Sequence, residues 1–194
     1  MESAPAEDAV LVGRLQAGDD SALSGLIERH QESLYYFVKR YLGNDAQARD
    51  AVQEVFVRAY FGIRRYRPKA TFKTWLYAIA VNLCHDQTRK QRRQPAFVSL
   101  DEPKAEANKW SANIEPATDS TPAKESEMAE RHTQVEEAIA SLPVDLRMAL
   151  LLFSLEGYSQ KECAEMLGVT VKTIELRVYR AKKELQFRLS HFLT

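Results

Sequence analysis

Apolar residues recur at helical spacing along most of the chain. Between Glu7 and Ala17 a short pattern carries Val10, Leu11 and Leu15, and Gly18-Asp19-Asp20-Ser21 then breaks it and offers an N-cap. Ala22 to Leu42 places Leu23, Leu26, Ile27, Leu34, Phe37, Val38 and Tyr41 on one stripe. Gly43-Asn44-Asp45 reads as a C-cap followed by a new N-cap. The next helix, Ala46 to about Ile63, would bury Ala48, Ala51, Val52, Val55, Phe56 and Ala59. A loop marked by Pro68 leads to a helix from Thr71 to Arg93, with Phe72, Trp75, Leu76, Ile79 and Leu83 apolar. No convincing alternation of period two appears, so the first half is expected to be an all-α bundle.

The pattern lapses from Pro95 to about Lys124. This stretch holds Pro95, Pro103, Pro116 and Pro122 and only aperiodic large apolar residues, and is expected to be a flexible linker. Helical spacing returns at Glu125 with Val135, Ile139 and Leu142. Pro143 opens a helix in which Leu146, Leu150, Leu151 and Leu155 would face inward, and Gly157 ends it. Ser159 and Glu162 have capping-box spacing ahead of a short helix with Cys163, Ala164 and Leu167 apolar. After Gly168-Val169, Thr170 caps a last helix carrying Val171, Ile174, Val178, Ala181, Leu185 and Leu189. The fold class is therefore all-α, with two small helical domains (7–94 and 125–194) joined by a flexible acidic linker (95–124).

Charge sharpens this division. The chain of 194 residues balances 27 basic against 27 acidic side chains. Yet from Val55 to Arg93 there are ten Lys or Arg and one acid, and from Pro95 to Glu130 eight acids and three Lys. From Leu167 onward six cations face two acids. Two basic regions thus flank an acidic one, as suits contacts to a polyanion at two places.

Other chemistries find little support. Cys84 and Cys163 sit far apart within helical patterns and read as reduced, buried thiols rather than a disulfide framework. Cys84 and His85 point to different helix faces, so they make a poor chelate, and neither a metal nor a cofactor is expected. No Gly-rich phosphate loop or catalytic triad argues for an enzyme. The opening MESAPAEDAV lacks the layout of a signal peptide, and no apolar run approaches membrane-spanning length, so a cytoplasmic chain without membrane insertion is expected.

Two segments carry the functional signal. The helix ending in Arg89, Lys90, Arg92 and Arg93 joins an aromatic stripe to a cationic end. The pair of helices around Gly168, with small Ala164 at their crossing and Ile174 and Val178 buried, has helix-turn-helix spacing. Its second helix would enter a major groove. A duplex-binding regulator would need only the second of these segments. A helical adaptor or phosphorelay module would show an isolated exposed His or Asp, whereas His30, His85, His132 and His191 share no motif.

Both halves resemble one family, the extracytoplasmic-function class of bacterial sigma factors. The first motif is Asp50-Ala51-Val52-Gln53-Glu54-Val55-Phe56-Val57-Arg58-Ala59-Tyr60, with the family's initial acidic block shortened. The next comprises Phe72, Thr74-Trp75-Leu76-Tyr77, Ile79-Ala80, Asn82, Asp86 and Arg89-Lys90. In the second domain Leu142-Pro143, Arg147, Glu156-Gly157-Tyr158-Ser159, Glu162, Leu167-Gly168-Val169, Thr173-Ile174 and Arg177-Val178 match.

The resemblance implies a non-enzymatic protein that binds RNA polymerase core, on the clamp of the largest subunit and the flap of the second, and directs it to promoter DNA. Asp50, Gln53, Glu54 and Arg58 would meet the clamp. The −10 element would be opened and read as single strand by the loop 64–71 and the helix after it. There Arg65, Lys69, Lys73, Arg89 and Arg93 would hold phosphates and Asn82 would read a base. Trp75 falls on the core stripe rather than reading as a stacking wedge, and Tyr66 and Tyr77 stay open between the two roles. Lys172, Thr173, Arg177 and Arg180 would read the −35 duplex, with Arg177 best suited to a guanine edge. Glu175 and Leu176 stand where many relatives carry Lys and Ser, which leaves the −35 sequence open. The linker would thread towards the RNA exit channel or act as a solubilising tether. Members of this family are usually held inactive by an anti-sigma protein, often membrane-anchored.

Overall fold

A computed structural model describes residues 4–67, 69–93 and 122–190, with side chains over 6–67, 69–91 and 130–190. Eight α-helices account for most of the described residues, and no strand occurs among them. The first unit comprises α1 (Ala4–Gln16), α2 (Ala22–Leu42), α3 (Asp45–Gly62), a 3-10 turn (Ile63–Arg65) and α4 (Phe72–Arg93). The second comprises α5 (Pro122–Ala140), α6 (Val144–Leu150) with a π-helical turn at Leu151–Leu155, α7 (Gln160–Leu167) and α8 (Val171–Arg188). The helix expected from Glu125 starts at Pro122, where proline's fixed φ and missing N–H suit a first helical position. The rest of the expected linker, 95–121, lies outside the described residues.

Local sequence chemistry sets the helix ends. Gly43 closes α2 at φ 72°, and Asn44 then caps α3 by accepting from the Gln47 N–H at 2.9 Å. Ser159 and Glu162 form the expected capping box on α7, Gly168 closes it at φ 63°, and Thr170 caps α8. Ser21 is the exception: its side chain caps nothing, and its hydroxyl and backbone N–H both turn to the Asp19 carboxylate.

α2 packs on α1, α3 and α4, while α8 packs on α6 and α7. All six residues expected to be buried on α3 are buried, and Leu26, Leu34, Phe37 and Val38 fill the centre from α2. Truncating Leu26 or Leu34 to Ala would cost about 3 kcal/mol through lost burial and the void left behind. Elsewhere the stripes shift. On α1 Val12 is buried in place of Val10, which is 62% exposed. Val135 is also exposed, leaving Ala138 and Ile139 as the buried face of α5, with Leu142 buried just beyond its end. Leu155 is 50% exposed because the π-helical turn, marked by the Glu156 N–H donating to the Leu151 carbonyl, rotates it off the α-helical stripe.

The two units share one apolar core, because α4 packs on α7 and α2 on α5. Hence α4 buries two faces. Phe72, Leu76 and Leu83 belong to the expected stripe, while Tyr77, Ala80, Val81 and Cys84 complete a second. Both cysteines are free and buried, and burial pushes the Cys84 thiol up to about 12 and that of Cys163 up to about 11.

Candidate nucleic-acid and partner interfaces

The core of α3 lies at Val52, Val55, Phe56 and Ala59, so the opposite side of that helix faces solvent. Asp50, Gln53, Glu54 and Arg58 are all exposed there, and Arg58 Nε donates to Glu54 Oε1 at 2.7 Å across one turn. The same strip contains two residues that the sequence reading missed as surface features, Val57 (48% exposed) and Phe61 (75%). Their signal was their 3.6-period offset from the buried stripe. With Leu23, Ile27 and Phe56 they line a mostly apolar groove between α2 and α3. Charged Glu54 and Arg58 sit on the other flank, in a polar cleft shared with Asp86, Arg89 and Lys90 of α4. The α3 face therefore offers apolar area bordered by charge, which suits a protein partner.

The loop before α4 is tied down from several sides. The Gln16 side-chain amide donates to the carbonyls of Ile63 at 2.8 Å and Tyr66 at 3.1 Å. The Tyr66 hydroxyl donates to the Ala70 carbonyl at 2.7 Å, and Thr71 Oγ1 accepts the Thr74 N–H. Tyr66, Phe72 and Trp75 stack into one aromatic group, with the Tyr66 and Trp75 rings 4.9 Å apart. A Cβ on Gly62 would come within 3.2 Å of Trp75, so this glycine admits the indole. Trp75 and Tyr66 thus belong to the packed support of the loop, and Arg65 and Lys69 project from it exposed.

Along α4, Asn82 and Arg89 are two turns apart on one exposed face, and Arg89 is paired with Asp86 at 3.2 Å. The side chain of Arg93 lies outside the described residues. Lys73 is not part of this group. Nine residues before Asn82, it projects from the opposite side of the helix, 3.5 Å from Glu156 of the second unit and over the rings of Tyr77 and Tyr158. Tyr77 is fully buried there.

On α8, Lys172 and Arg180 are exposed and Thr173 is half-buried. The Thr173 backbone N–H and hydroxyl are both engaged by Thr170, so Thr173 completes the cap. Arg177 is set back, its side chain 23% exposed and 3.8 Å from Asp145 of α6. The exposed apolar side chains of this helix are Val171, Leu176, Tyr179 and Phe187, of which Phe187 is the most exposed at 78%. Among the described residues no group of His, Cys, Asp or Glu could hold a metal, and no helix is long and apolar enough to cross a membrane.

Comparison with known proteins places both units. Residues 26–94 match the family model of Sigma-70 region 2, and residues 132–185 that of Sigma-70, region 4. The chain is 35% identical over 178 residues to the ECF RNA polymerase sigma-E factor of Escherichia coli (strain K12), covering 92% of each. It is 33% identical to that of Haemophilus influenzae, covering 94% of this chain and 95% of the relative. Its fold resembles that of CnrH in complex with the cytosolic domain of CnrY (TM-score 0.66, 24% identity, 95% of this chain and 98% of the other). It also resembles the sigma factor RpoE of Bartonella quintana in complex with the anti-sigma factor NepR (TM-score 0.65, 23% identity, 86% and 96%). Two all-α units in the order of regions 2 and 4, and relatives aligned over nearly the full length, make one assignment: the chain belongs to the ECF RNA polymerase sigma factors of the sigma-70 family.

Proposed function

We propose that this protein directs RNA polymerase core to promoters by dividing recognition between its two units, acting in the cytoplasm through binding alone. The carrying observation is that exposed, chemically distinct surfaces stand on separate rigid helices of one chain. On α3, Asp50, Gln53, Glu54 and Arg58 flank the apolar strip of Val57 and Phe61, and this face takes the clamp of the largest polymerase subunit. The second unit meets the flap of the second largest subunit.

DNA is held at two places. Arg65 and Lys69 on the braced loop, with Arg89 and Arg93 on α4, hold phosphates of the −10 strand, and Asn82 reads an unstacked base by donating and accepting together. The −35 duplex lies against α8, where Lys172 and Arg180 meet backbone and Arg177 reads a guanine edge, with Thr173 fixing the helix start. Residues 7–94 and 125–194 form the working domains, and 95–124 joins them. The solved structure with the anti-sigma factor NepR supports control by an anti-sigma protein, and the partner of CnrH is a cytosolic domain, in keeping with a membrane-anchored partner.

Affinity capture with purified core polymerase tests the first step. The intact chain should bind core, and Glu54→Ala combined with Arg58→Ala should weaken that binding while leaving helical content unchanged. Failure of the intact chain to bind core would contradict the reading.

A further inference from the structure

The outward face of α8 carries two side chains that phosphate binding does not explain. Ile174, Val178 and Ala181 are buried where α8 packs on α6 and α7, which fixes the inner side of the helix. At about 100° per residue, Leu176 stands about 200° round from Ile174, so it points straight away from that core. It is 47% exposed. Lys172, Tyr179 and Lys183 share this side and are all exposed. Arg180 and Glu175 flank it, one on each shoulder, and both are exposed. Arg177 lies further round, turned back towards Asp145 of its own unit at 3.8 Å.

Lys172, Arg180 and Lys183 give this face the charge that a duplex backbone attracts. Glu175 is its one acid. Among the described residues the Glu175 carboxylate has neither an ion pair nor a hydrogen bond, although Lys172 stands one turn away. An unpaired carboxylate carried against DNA meets repulsion from the phosphates unless it finds an N–H donor. On the floor of the major groove cytosine offers such a donor in its N4 amino group, and a carboxylate side chain accepts from it. Leu176 has no polar atom to offer any base edge. The apolar group that the major groove presents to it is the C5-methyl of thymine.

We infer that Glu175 and Leu176 determine the −35 preference of this chain, Leu176 by packing on a thymine methyl and Glu175 by accepting from a cytosine amino group one base step away. Both residues lie in the first two turns of α8, the part of such a helix that reaches base edges. The cations on the same face then supply affinity, and this pair supplies discrimination. The inference rests on the reading above that α8 meets duplex DNA, and it adds which bases the helix selects.

The experiment uses the full chain, with and without core polymerase, to enrich duplexes from random sequence, and then measures binding to the enriched site. Each thymine is replaced in turn by deoxyuridine, which removes the methyl group and keeps the base pairing. At one position wild-type binding should weaken about fourfold, the worth of one buried methyl group. Leu176→Ala should bind the thymine site as weakly as wild type binds the uracil site, and should be indifferent to the exchange. Arg177→Ala should bind more weakly yet keep the full thymine-to-uracil ratio, which a general loss of helix structure would not do. Glu175→Gln should move the preference at the neighbouring position from cytosine towards adenine, the base a glutamine side chain pairs with. No methyl-sensitive position in wild type, or equal sensitivity in Leu176→Ala, would overturn the role of Leu176. An unchanged cytosine preference in Glu175→Gln would overturn that of Glu175, and failure to enrich any duplex would overturn both. A chain that enriches a methyl-sensitive site but starts no transcripts with core would count against the sigma-factor reading and leave this assignment standing.

Discussion

Asp8 of α1 and His30 of α2 meet inside the first unit, with Asp8 Oδ2 2.9 Å from His30 Nε2. Asp8 Oδ1 also accepts from Arg29 Nε at 2.8 Å, and both Asp8 and His30 are buried. This cluster fastens the first helix, and through it Gln16, to the rest of the unit. Asp8→Ala should cost about 3 kcal/mol, because it strips a buried partner from a histidine and an arginine at once. A chemical-denaturation midpoint that does not move would contradict this.

The same pair predicts a pH dependence. Burial holds the His30 pKa below its usual value, against the opposing pull of Asp8 and with Arg29 and Lys73 acting in the same direction as burial. His85 is shifted the same way by burial. A base whose folded pKa is depressed stays neutral while the unfolded chain takes up protons. Stability should therefore fall as pH drops below about 6.5, the usual value in the unfolded chain. Urea midpoints measured across that range should show the loss, and His30→Gln should reduce it.

Gln16 braces the loop before α4 by a route no local pattern reveals, since its acceptors at Ile63 and Tyr66 are 47 and 50 residues away. Both acceptors are carbonyls, so the amide nitrogen must face them. Gln16→Ala should cost about 1 kcal/mol in stability. It should also blunt discrimination among −10 variants, with core affinity unchanged. Equal transcription losses on all −10 variants would point to a merely structural role.

Phe61 tests the partner face. It is exposed, so Phe61→Ser should leave stability nearly unchanged while weakening core binding by about 2 kcal/mol, as expected for an aromatic anchor. A titration of labelled protein with core polymerase reads both affinity and stoichiometry.

Arg177→Ala should reduce −35 recognition by about 1–3 kcal/mol and leave core binding intact. Asn82→Ala should impair opening or −10 selectivity instead. The two defects should be separable on promoters altered at one element only.

Much of this organisation could be read before any coordinates, because caps and 3.6-residue periodicity are local. The six buried residues of α3, the capping box at Ser159 and the turn at Gly168 came directly from such signals. What escaped depended on distant chain. The second buried face of α4 exists only because α7 packs against it, so Lys73 read as one more exposed cation and Tyr77 stayed undecided. The π-helical turn that exposes Leu155 has no local signature in the hydrophobic pattern. Asp8 carries no local signal of burial, and only the packing of α1 on α2 gives it a partner in His30.

The central claim, that this one chain confers promoter recognition on polymerase, is tested most directly by run-off transcription. Core polymerase and the purified chain would be combined on genomic fragments and the start sites mapped. The account predicts transcripts absent with core alone. Their start sites should share a −35 and a −10 element, and open-complex formation should weaken steeply as salt rises, because several phosphate contacts release counterions. Transcripts unchanged by adding the protein, under conditions where it binds core, would contradict it.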